Sequence, residues 1–502
     1  MKKFLNKVLV VFIAGVAFTS CKKITDDINI SPNQPANLST GYALTSAIQY
    51  IGGTGGGGAT TNINSYAGEL YSQYLSETLY TNESRFVLAQ YDYQGYYTGP
   101  LTDLKQIIDF NTNEKTKSLG TTLKYGSNAN QIASARILKA FIFLTMTDRW
   151  GDIPYSQALQ GSANLTPKFD AQKDIYTDLF KELTEAQAQF DNGAPLAGDI
   201  LFGGDNIKWK HWANSLRAVM ALRLSKVDPT TGAAEFKKAI ADGVMTSNDD
   251  NATYNYLAEQ NNENPYFGNY RNRYDYAVSD QVVDRLKANN DPRLPVYAQP
   301  TSTGGYAGLP YGTFADALKA YRIGNRNVSQ GIFRPGNISQ IGIAYSNQSS
   351  PTTWTSYAQT LFVEAEAAHL GWIPGGDGAA ATYYTQGITA SLEQNNVDGG
   401  SIAAYLTQPG VVFNAANAVE QIITQKWIAN YLGNGWESWS EYRRTGFPRL
   451  LDPVPSAANA DKHIPRRQQY PQSENDLNKQ NYNEVIARQG PDALSTHVWW
   501  DK

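Results

Sequence analysis

The sequence predicts an all-α fold with a loop-rich, irregular second half. Apolar residues recur at helical spacing along most of the chain, which is the pattern of amphipathic and buried helices. No series of alternating strands accumulates and no strand–helix–strand rhythm appears, which argues against an α/β or sandwich fold. The span 248–354 is rich in Asn, Tyr, Gly and Pro and has little periodicity. We therefore expect a loop-rich insertion there, of a kind that is usually functional.

The clearest helix is predicted over residues 128–150, where one apolar face is formed at helical spacing by Ala133, Ile137, Ala140, Phe141 and Leu144. A second apolar edge on this segment predicts burial on two sides. Helices over 170–190 and 209–226 follow, and the latter ends before Pro229 because the residue before a Pro disfavours the helical conformation. Further helices are predicted over residues 64–91, 99–114, 233–242, 279–289, 355–372, 378–394, 402–406 and 416–446.

The composition predicts a neutral, polar surface. Charged residues make up only 18% of the 502 residues, below the ~25% of an average soluble domain. The mean hydropathy is nevertheless −0.44, so uncharged amides, hydroxyls and Gly must supply the polarity. The 32 Tyr residues each combine an apolar face with a polar tip, which suits a neutral polar ligand. A net charge of −4 excludes a strongly basic nucleic-acid-binding protein.

The N-terminus predicts export and lipid attachment. Several Lys residues precede an apolar run over residues 8–18, which is typical of a secretory signal peptide. The run is about half as long as the ~20 residues that a membrane-spanning helix needs. Cys21, the single Cys, lies in a segment that resembles a bacterial lipobox. We expect removal of residues 1–20 and acylation of Cys21, for example with palmitate, which anchors a chain without a spanning helix. A plain signal peptide containing a Cys is the alternative.

The rest of the chain is predicted to consist of a tether and one domain. Residues 21–40 are polar and contain Pro32 and Pro35, which is typical of an extended linker. Residues 41–502 are expected to form a single domain, in which a helical scaffold holds the insertion at about 248–354.

Motifs for catalysis and metal binding are scarce. The sequence has no His-Glu-x-x-His zinc motif and no Gly-x-Ser-x-Gly nucleophile elbow. Glu366 and His369 form half of a helix-bundle di-metal motif, but its second copy is missing, so we expect a structural pair. We predict no cofactor and no metal. Two carboxylates that converge in space suffice for a glycoside hydrolase, and with 46 acidic residues this alternative stays open.

Aromatic residues on the loop-rich span provide the candidate ligand site. A Tyr ring beside Asn and Arg offers an apolar face to the C–H groups of a sugar and hydrogen-bonding groups to its hydroxyls. We predict that ligand contacts are made by Tyr266, Tyr270, Arg271, Tyr274, Tyr306 and Tyr311. Core packing is the alternative for each Tyr, because large aromatic side chains also dominate hydrophobic cores.

A series of short motifs extends over roughly residues 37–501. The segments are 148–155 (DRWGDIPY), 209–229, 290–294 (NDPRL), 364–368 (EAEAA), 439–446, 466–474 (RRQQYPQSE) and 499–501. In this order, and together with the lipobox, they resemble the SusD/RagB family of outer-membrane nutrient-binding lipoproteins, and more narrowly its second SusD-like branch.

The resemblance implies that the helices stack in tetratricopeptide-like pairs. It also implies a partner, a SusC-like TonB-dependent outer-membrane transporter, to which the lipoprotein delivers an oligosaccharide or a peptide oligomer. The protein is then expected to face outward from the cell outer membrane. Family members bind without catalysis, so we expect a carbohydrate-binding protein in nutrient uptake and no enzyme. A lipid-anchored glycoside hydrolase and a non-catalytic helical-repeat scaffold are the alternatives.

Overall fold

Helices form most of the structure, a computed structural model, and they confirm the prediction of an all-α fold. The described residues are 39–53, 66–87, 90–271, 273–327, 332–456, 459 and 463–502. The signal peptide over residues 1–20, Cys21 and nearly all of the tether over residues 21–40 lie outside this part of the chain. Thr40–Lys502 cluster as one unit.

The longer helices are α1 (Thr40–Gly52), α2 (Thr102–Thr112), α3 (Asn128–Trp150), α4 (Gln172–Gln189), α5 (Asn206–Arg223), α6 (Pro229–Asp242), α7 (Asp280–Ala288), α8 (Tyr357–His369), α9 (Gly376–Gln394), α10 (Gly399–Leu406), α11 (Ala418–Ala429), α12 (Gly435–Thr445) and α13 (Lys479–Gln489). Consecutive helices pack against each other in pairs, α3 with α4, α5 with α6 and α8 with α9. The pairs also touch one another, since α4 and α8 both contact α5. This arrangement confirms the tetratricopeptide-like stacking that the family resemblance implied.

Helix α3 shows how local sequence and burial together define this scaffold. The Ser127 side chain accepts a hydrogen bond from Asn130 N at 3.2 Å and so caps the first turn. The helix ends at Gly151, whose φ of 82° is left-handed and is reached easily only by a residue without a side chain. Most side chains between these ends are buried, which confirms the prediction of a helix packed on two sides.

Short strands occur in the described residues only as antiparallel pairs. They are β1 (Leu75–Glu77) with β5 (Tyr276–Val278), β2 (Ile153–Pro154) with β3 (Phe169–Asp170), β4 (Ala252–Tyr254) with β8 (Thr352–Thr355), and β6 (Asn325–Asn327) with β7 (Ile332–Arg334). Most of them belong to the region that we predicted as loop-rich. The β1–β5 pair joins this region to the segment that follows α1.

The prediction of one long helix over residues 64–91 is wrong. A short helix, Tyr66–Tyr71, is followed by Gln73 with a left-handed φ of 62°, and the chain then enters β1. The buried Gln73 side chain donates to Leu451 O at 2.6 Å and accepts from Leu451 N at 2.9 Å. This tertiary contact holds the chain out of the helical conformation that its local periodicity favours.

The helix predicted over residues 416–446 is interrupted between α11 and α12. Leu432 has a left-handed φ of 51°, and a Cβ atom on Gly433 would lie only 2.3 Å from Thr353 O. Gly is therefore required at this close approach between backbones. The break directs the connection, residues 430–434, against β8.

Candidate functional site

Three of the six predicted ligand-contacting residues lie in the core. Tyr266, Tyr270 and Tyr311 are each at most 5% exposed. Tyr266 packs edge-on against Tyr66 with the ring centroids 5.3 Å apart, and Tyr311 donates to Leu70 O at 2.5 Å. A stacking ligand must cover a free ring face, so these three rings pack the interior instead of offering a platform.

The other three predicted residues keep partial exposure. Tyr274 and Tyr306 pack at the edge of the cluster that contains Tyr266 and Tyr270, so the structure brings these four side chains together. Arg271 is held by Glu263, to which its Nε donates at 2.9 Å. Ligand contact by Tyr274, Tyr306 and Arg271 stays a prediction.

Two exposed rings that pack with Arg lie at residues that the sequence analysis did not select, one in the turn after β1 and one in the loop-rich region. Tyr80 is 60% exposed and Phe314 is 49% exposed. The guanidinium carbon of Arg273 lies 5.6 Å from the Tyr80 ring centroid, and that of Arg85 lies 4.3 Å from the Phe314 centroid. We call Leu79, Tyr80, Arg85, Arg273 and Phe314 the aromatic face. Tyr80 was missed because it fell within the helix predicted over residues 64–91.

Pairing of β1 with β5 positions the first half of the aromatic face. Glu77 lies opposite Tyr276 in the ladder, and the backbone bond from Thr78 N to Asp275 O at 2.8 Å extends it. The turn that follows β1 therefore leaves the ladder beside the residues that precede β5. This register places Tyr80 next to Arg273.

A close contact between loops positions the second half. Gly312 has a φ of 64°, and a Cβ atom there would lie 3.0 Å from Pro453 Cβ and 3.4 Å from Ser84 O. Val454 N donates to Gly312 O at 2.9 Å. These contacts hold the segment of Phe314 against the turn that carries Arg85.

Two acidic residues lie at the turn between β1 and Phe86, Glu77 at the end of β1 and Glu83 in the turn itself. Glu77 is 6% exposed, and its carboxylate accepts from Ser84 N at 2.8 Å and from Ser84 Oγ at 2.7 Å. Burial raises the pKa of Glu77 to about 7, against the lowering effect of these hydrogen bonds, and burial also raises the pKa of Glu83 to about 7. Near neutral pH these groups are therefore partly protonated, whereas Arg273 of the aromatic face is paired with Asp275, with Nε 2.8 Å from Oδ2.

The arrangement of the aromatic face suits stacking and hydrogen bonding. Exposed rings can cover the C–H groups of a sugar, and the guanidinium groups of Arg85 and Arg273 can donate to its oxygens. Each guanidinium also packs on a ring, which restricts its orientation before a ligand arrives.

The described residues contain no group of His, Cys, Asp and Glu side chains that could hold a metal ion. Glu366 and His369, the two residues of the half di-metal motif, bind different partners. Glu366 binds Arg444 through two contacts of 2.6 Å, and His369 Nδ1 lies 2.6 Å from Asp377 Oδ1. Each side chain of the motif therefore has a partner within the protein.

The motif residues that carry the family resemblance build the interior. The guanidinium carbon of Arg149 lies 4.2 Å from the Trp150 ring and 4.0 Å from the Trp436 ring. Arg293 donates to Asp291 at 2.6 and 2.9 Å, and both residues are buried. The side chains of Arg149, Asp291 and Arg293 therefore serve packing of the interior. The fold and the aromatic face are together typical of a helical ligand-binding protein.

Comparison with protein families identifies the family of the chain. The sequence model SusD-like_2, described as starch-binding and associating with the outer membrane, matches residues 32–471. The chain belongs to this family, which is associated with the outer membrane. No curated protein matches it. No helix in the described ranges is long and apolar enough to cross a membrane.

Solved structures share the fold over nearly their full length. A chitin-binding protein is 28% identical, with a TM-score of 0.77 over 92% of this chain and 99% of its own. A SusD homologue from Bacteroides fragilis NCTC 9343 is 26% identical, with a TM-score of 0.74 over 93% and 100% of the two chains. A chitin-binding SusD homologue from Flavobacterium johnsoniae shares the fold at 24% identity, with a TM-score of 0.70 over 92% and 98%.

Proposed function

We propose that the protein is an outward-facing lipoprotein of the outer membrane that binds an oligosaccharide on the aromatic face and delivers it to a SusC-like TonB-dependent transporter. The observation that supports it is the pair of exposed rings, Tyr80 and Phe314, each packed with a guanidinium group. Aromatic residues and Arg are enriched at binding interfaces relative to the rest of the protein surface. Membership of a starch-binding family and the fold shared with a chitin-binding protein favour a glucan or chitin oligomer.

Ligand binding is tested by titration calorimetry with maltohexaose and chitohexaose. We expect one of them to bind, and Tyr80→Ala and Phe314→Ala each to weaken binding by roughly 1–2 kcal/mol, which is about five- to thirtyfold. Tyr42→Ala is the matched control, because Tyr42 is a 73% exposed Tyr on α1, outside the aromatic face. If all three variants bind as the wild type does, the aromatic face is not the site.

A glycoside hydrolase remains the second candidate because two carboxyl groups with a raised pKa, Glu77 and Glu83, lie next to the aromatic face. The binding function is favoured because the Glu77 carboxylate is buried and bound to Ser84. We expect chitohexaose and maltohexaose to remain intact during long incubation, as followed by mass spectrometry. Shorter products that disappear in Glu83→Gln establish the hydrolase instead.

The anchor and the transporter are tested in cells. Labelled palmitate is expected in the wild type and not in Cys21→Ala, which should leave the outer-membrane fraction. A SusC-like transporter is expected to copurify with the wild type from outer membranes solubilised in detergent. Retention of label in Cys21→Ala contradicts acylation at this residue, and absence of any transporter in the copurified material contradicts the partnership.

A further inference from the structure

A cavity lies between the helical scaffold and the loop-rich region, and it shares no residue with the aromatic face. Its walls come from the C-terminal end of α9 (residues 394–396), the connection between α11 and α12 (residues 430–434), and the segment around Ala344 and Tyr345. Its volume is about 420 Å³, which falls within the ~300–1,000 Å³ of small-molecule sites. We call this cavity the amide pocket.

The lining of the amide pocket is polar but carries no charge. Carboxamide side chains reach it from residues 394–396, from Asn430 and Asn434, and from Asn248 and Asn251. None of the described residues that line it is Lys, Arg, His, Asp or Glu. A charged ligand would lose its hydration here without gaining an opposite charge, whereas a neutral ligand with hydroxyl groups would exchange water for amides at little cost.

Contacts within the protein orient several of these amides and leave acceptors unused. Asn430 is 5% exposed and donates to Ser438 Oγ at 3.2 Å, and Asn434 donates to Gln359 Oε1 at 3.1 Å. Within the described residues, the Oδ1 atoms of Asn430 and Asn434 accept no hydrogen bond. In both side chains the amide nitrogen is held by the hydrogen bond that it donates. The position of the amide oxygen, which is free to accept from a ligand, is therefore fixed as well.

Two further residues of the lining are Tyr345 and Asn396. The hydroxyl of Tyr345 donates to Asn395 Oδ1 at 2.7 Å, so this ring is fixed at the pocket. Asn396 is exposed, has a left-handed φ of 56°, and makes no side-chain hydrogen bond to the described residues. Apolar contact is available from Val296 and Leu432 in the same lining.

We propose that the amide pocket binds one uncharged sugar residue and is a second ligand site, separate from the aromatic face. A pyranose has hydroxyl groups that both donate and accept, which matches a lining of carboxamides, and C–H groups that match its few apolar residues. The site goes beyond the proposed function, because it does not depend on which oligomer the aromatic face binds.

The test uses a blocking variant with a matched control on the same short helix, Ile343–Ser346. Ala344 is exposed and lines the pocket, so Ala344→Trp fills it with little disturbance of the core. Ile343 is 46% exposed and is not part of the lining, so Ile343→Trp adds the same ring beside it. Both variants are to be compared with the wild type and with Tyr80→Ala by circular dichroism and thermal melting before binding is measured.

Binding is measured by ligand-observed saturation-transfer NMR with methyl α-glucoside and methyl N-acetyl-β-glucosaminide, with glucuronate and glucosamine as charged probes. At about 10 mM, a probe with a Kd near 1 mM is almost saturating. We expect a neutral probe to bind the wild type and Ile343→Trp alike, and to bind Ala344→Trp about tenfold more weakly or worse, which is at least about 1.4 kcal/mol. Glucuronate and glucosamine are not expected to enter the pocket. Any signal that they give should therefore be the same for the wild type and for Ala344→Trp.

Three results overturn the proposal. Unchanged binding to Ala344→Trp places the sugar outside the pocket. Loss of binding in Tyr80→Ala alone assigns it to the aromatic face. Absence of binding by either neutral probe shows that the pocket does not take a sugar. Since the oligosaccharide titrations above report on the aromatic face, failure of one site is distinguishable from failure of the other.

Discussion

The buried carboxylate of Glu441 in the helical scaffold differs from the two carboxyl groups next to the aromatic face. Burial by itself raises the pKa of Glu441 on α12, but Arg444, Lys426 and Arg223 outweigh it and hold the pKa well below its usual range. These side chains are all buried, so the group forms an ionic cluster inside the stack of helices.

Next to the aromatic face, burial dominates instead. Glu77 and Glu83 have a pKa of about 7, and the hydrogen bonds from Ser84 to Glu77 do not restore its usual value of 4.5. The comparison shows that cations fix the packing around Glu441, while the segment around Glu77 and Glu83 bears an energetic cost near its exposed surface. Such costs are typical of functional regions, where geometry is selected for more than stability.

The largest effect is expected from Arg444→Met. Arg444 is 2% exposed and binds Glu366 through two contacts of 2.6 Å and Glu441 through one of 2.5 Å. Removal of the cation leaves two buried carboxylates without this partner, so the free energy of unfolding should fall by about 3–5 kcal/mol. Urea denaturation measures it. The double variant Arg444→Met with Glu366→Gln should lose less than the sum of the two single variants, and strict additivity contradicts the pairing.

The next effect separates core rings from exposed rings. Tyr266→Ala should lower the free energy of unfolding by about 3 kcal/mol, because it removes a ring that is 5% exposed from the core. Tyr80→Ala should leave stability within about 0.5 kcal/mol of the wild type, because the Tyr80 ring is 60% exposed. Thermal and urea unfolding of both variants check this. Equal losses of stability remove the distinction between the core and the aromatic face.

A pH-dependent effect is expected from Glu77→Gln. The pKa of Glu77 is higher in the folded state than its usual 4.5, so the folded state is penalised most at high pH, where the carboxyl is ionised in both states. Stability should therefore rise as the pH falls from about 8 to 5. The variant should reduce this slope and gain roughly 1–3 kcal/mol at pH 8. Urea midpoints across this range measure it, and an unchanged slope contradicts the raised pKa.

The smallest effect is expected from an exposed ion pair of the helical scaffold. Lys238 lies 2.8 Å from Glu235 on α6 and its side chain is 62% exposed. Because water and salt screen this pair, Lys238→Ala should change the free energy of unfolding by less than about 0.5 kcal/mol. Urea denaturation at low and high salt measures it. If Lys238→Ala lowers the free energy of unfolding nearly as much as Arg444→Met does, burial does not explain the difference between the exposed ion pair and the buried one.

Most helices of the scaffold could be predicted from the sequence, although the break between α11 and α12 could not. The segment 128–150 was predicted with the bounds that α3 has, because apolar spacing is a property of the helix itself. The family motifs could also be found in the sequence. Residues of these motifs such as Arg149 and Arg293 make contacts in the interior of the fold.

The sequence did not predict which aromatic rings are exposed. Tyr266 lies in a short helix, Pro265–Asn269, and Tyr80 in a turn, but neither local setting predicts that the first ring is buried and the second exposed. Their burial depends on partners distant in the chain, such as Tyr66 for the first and Arg273 for the second. The end of the short helix before β1 was likewise fixed by Leu451 through Gln73. Helical periodicity is a local property of the chain, whereas exposure is decided by contacts between segments hundreds of residues apart.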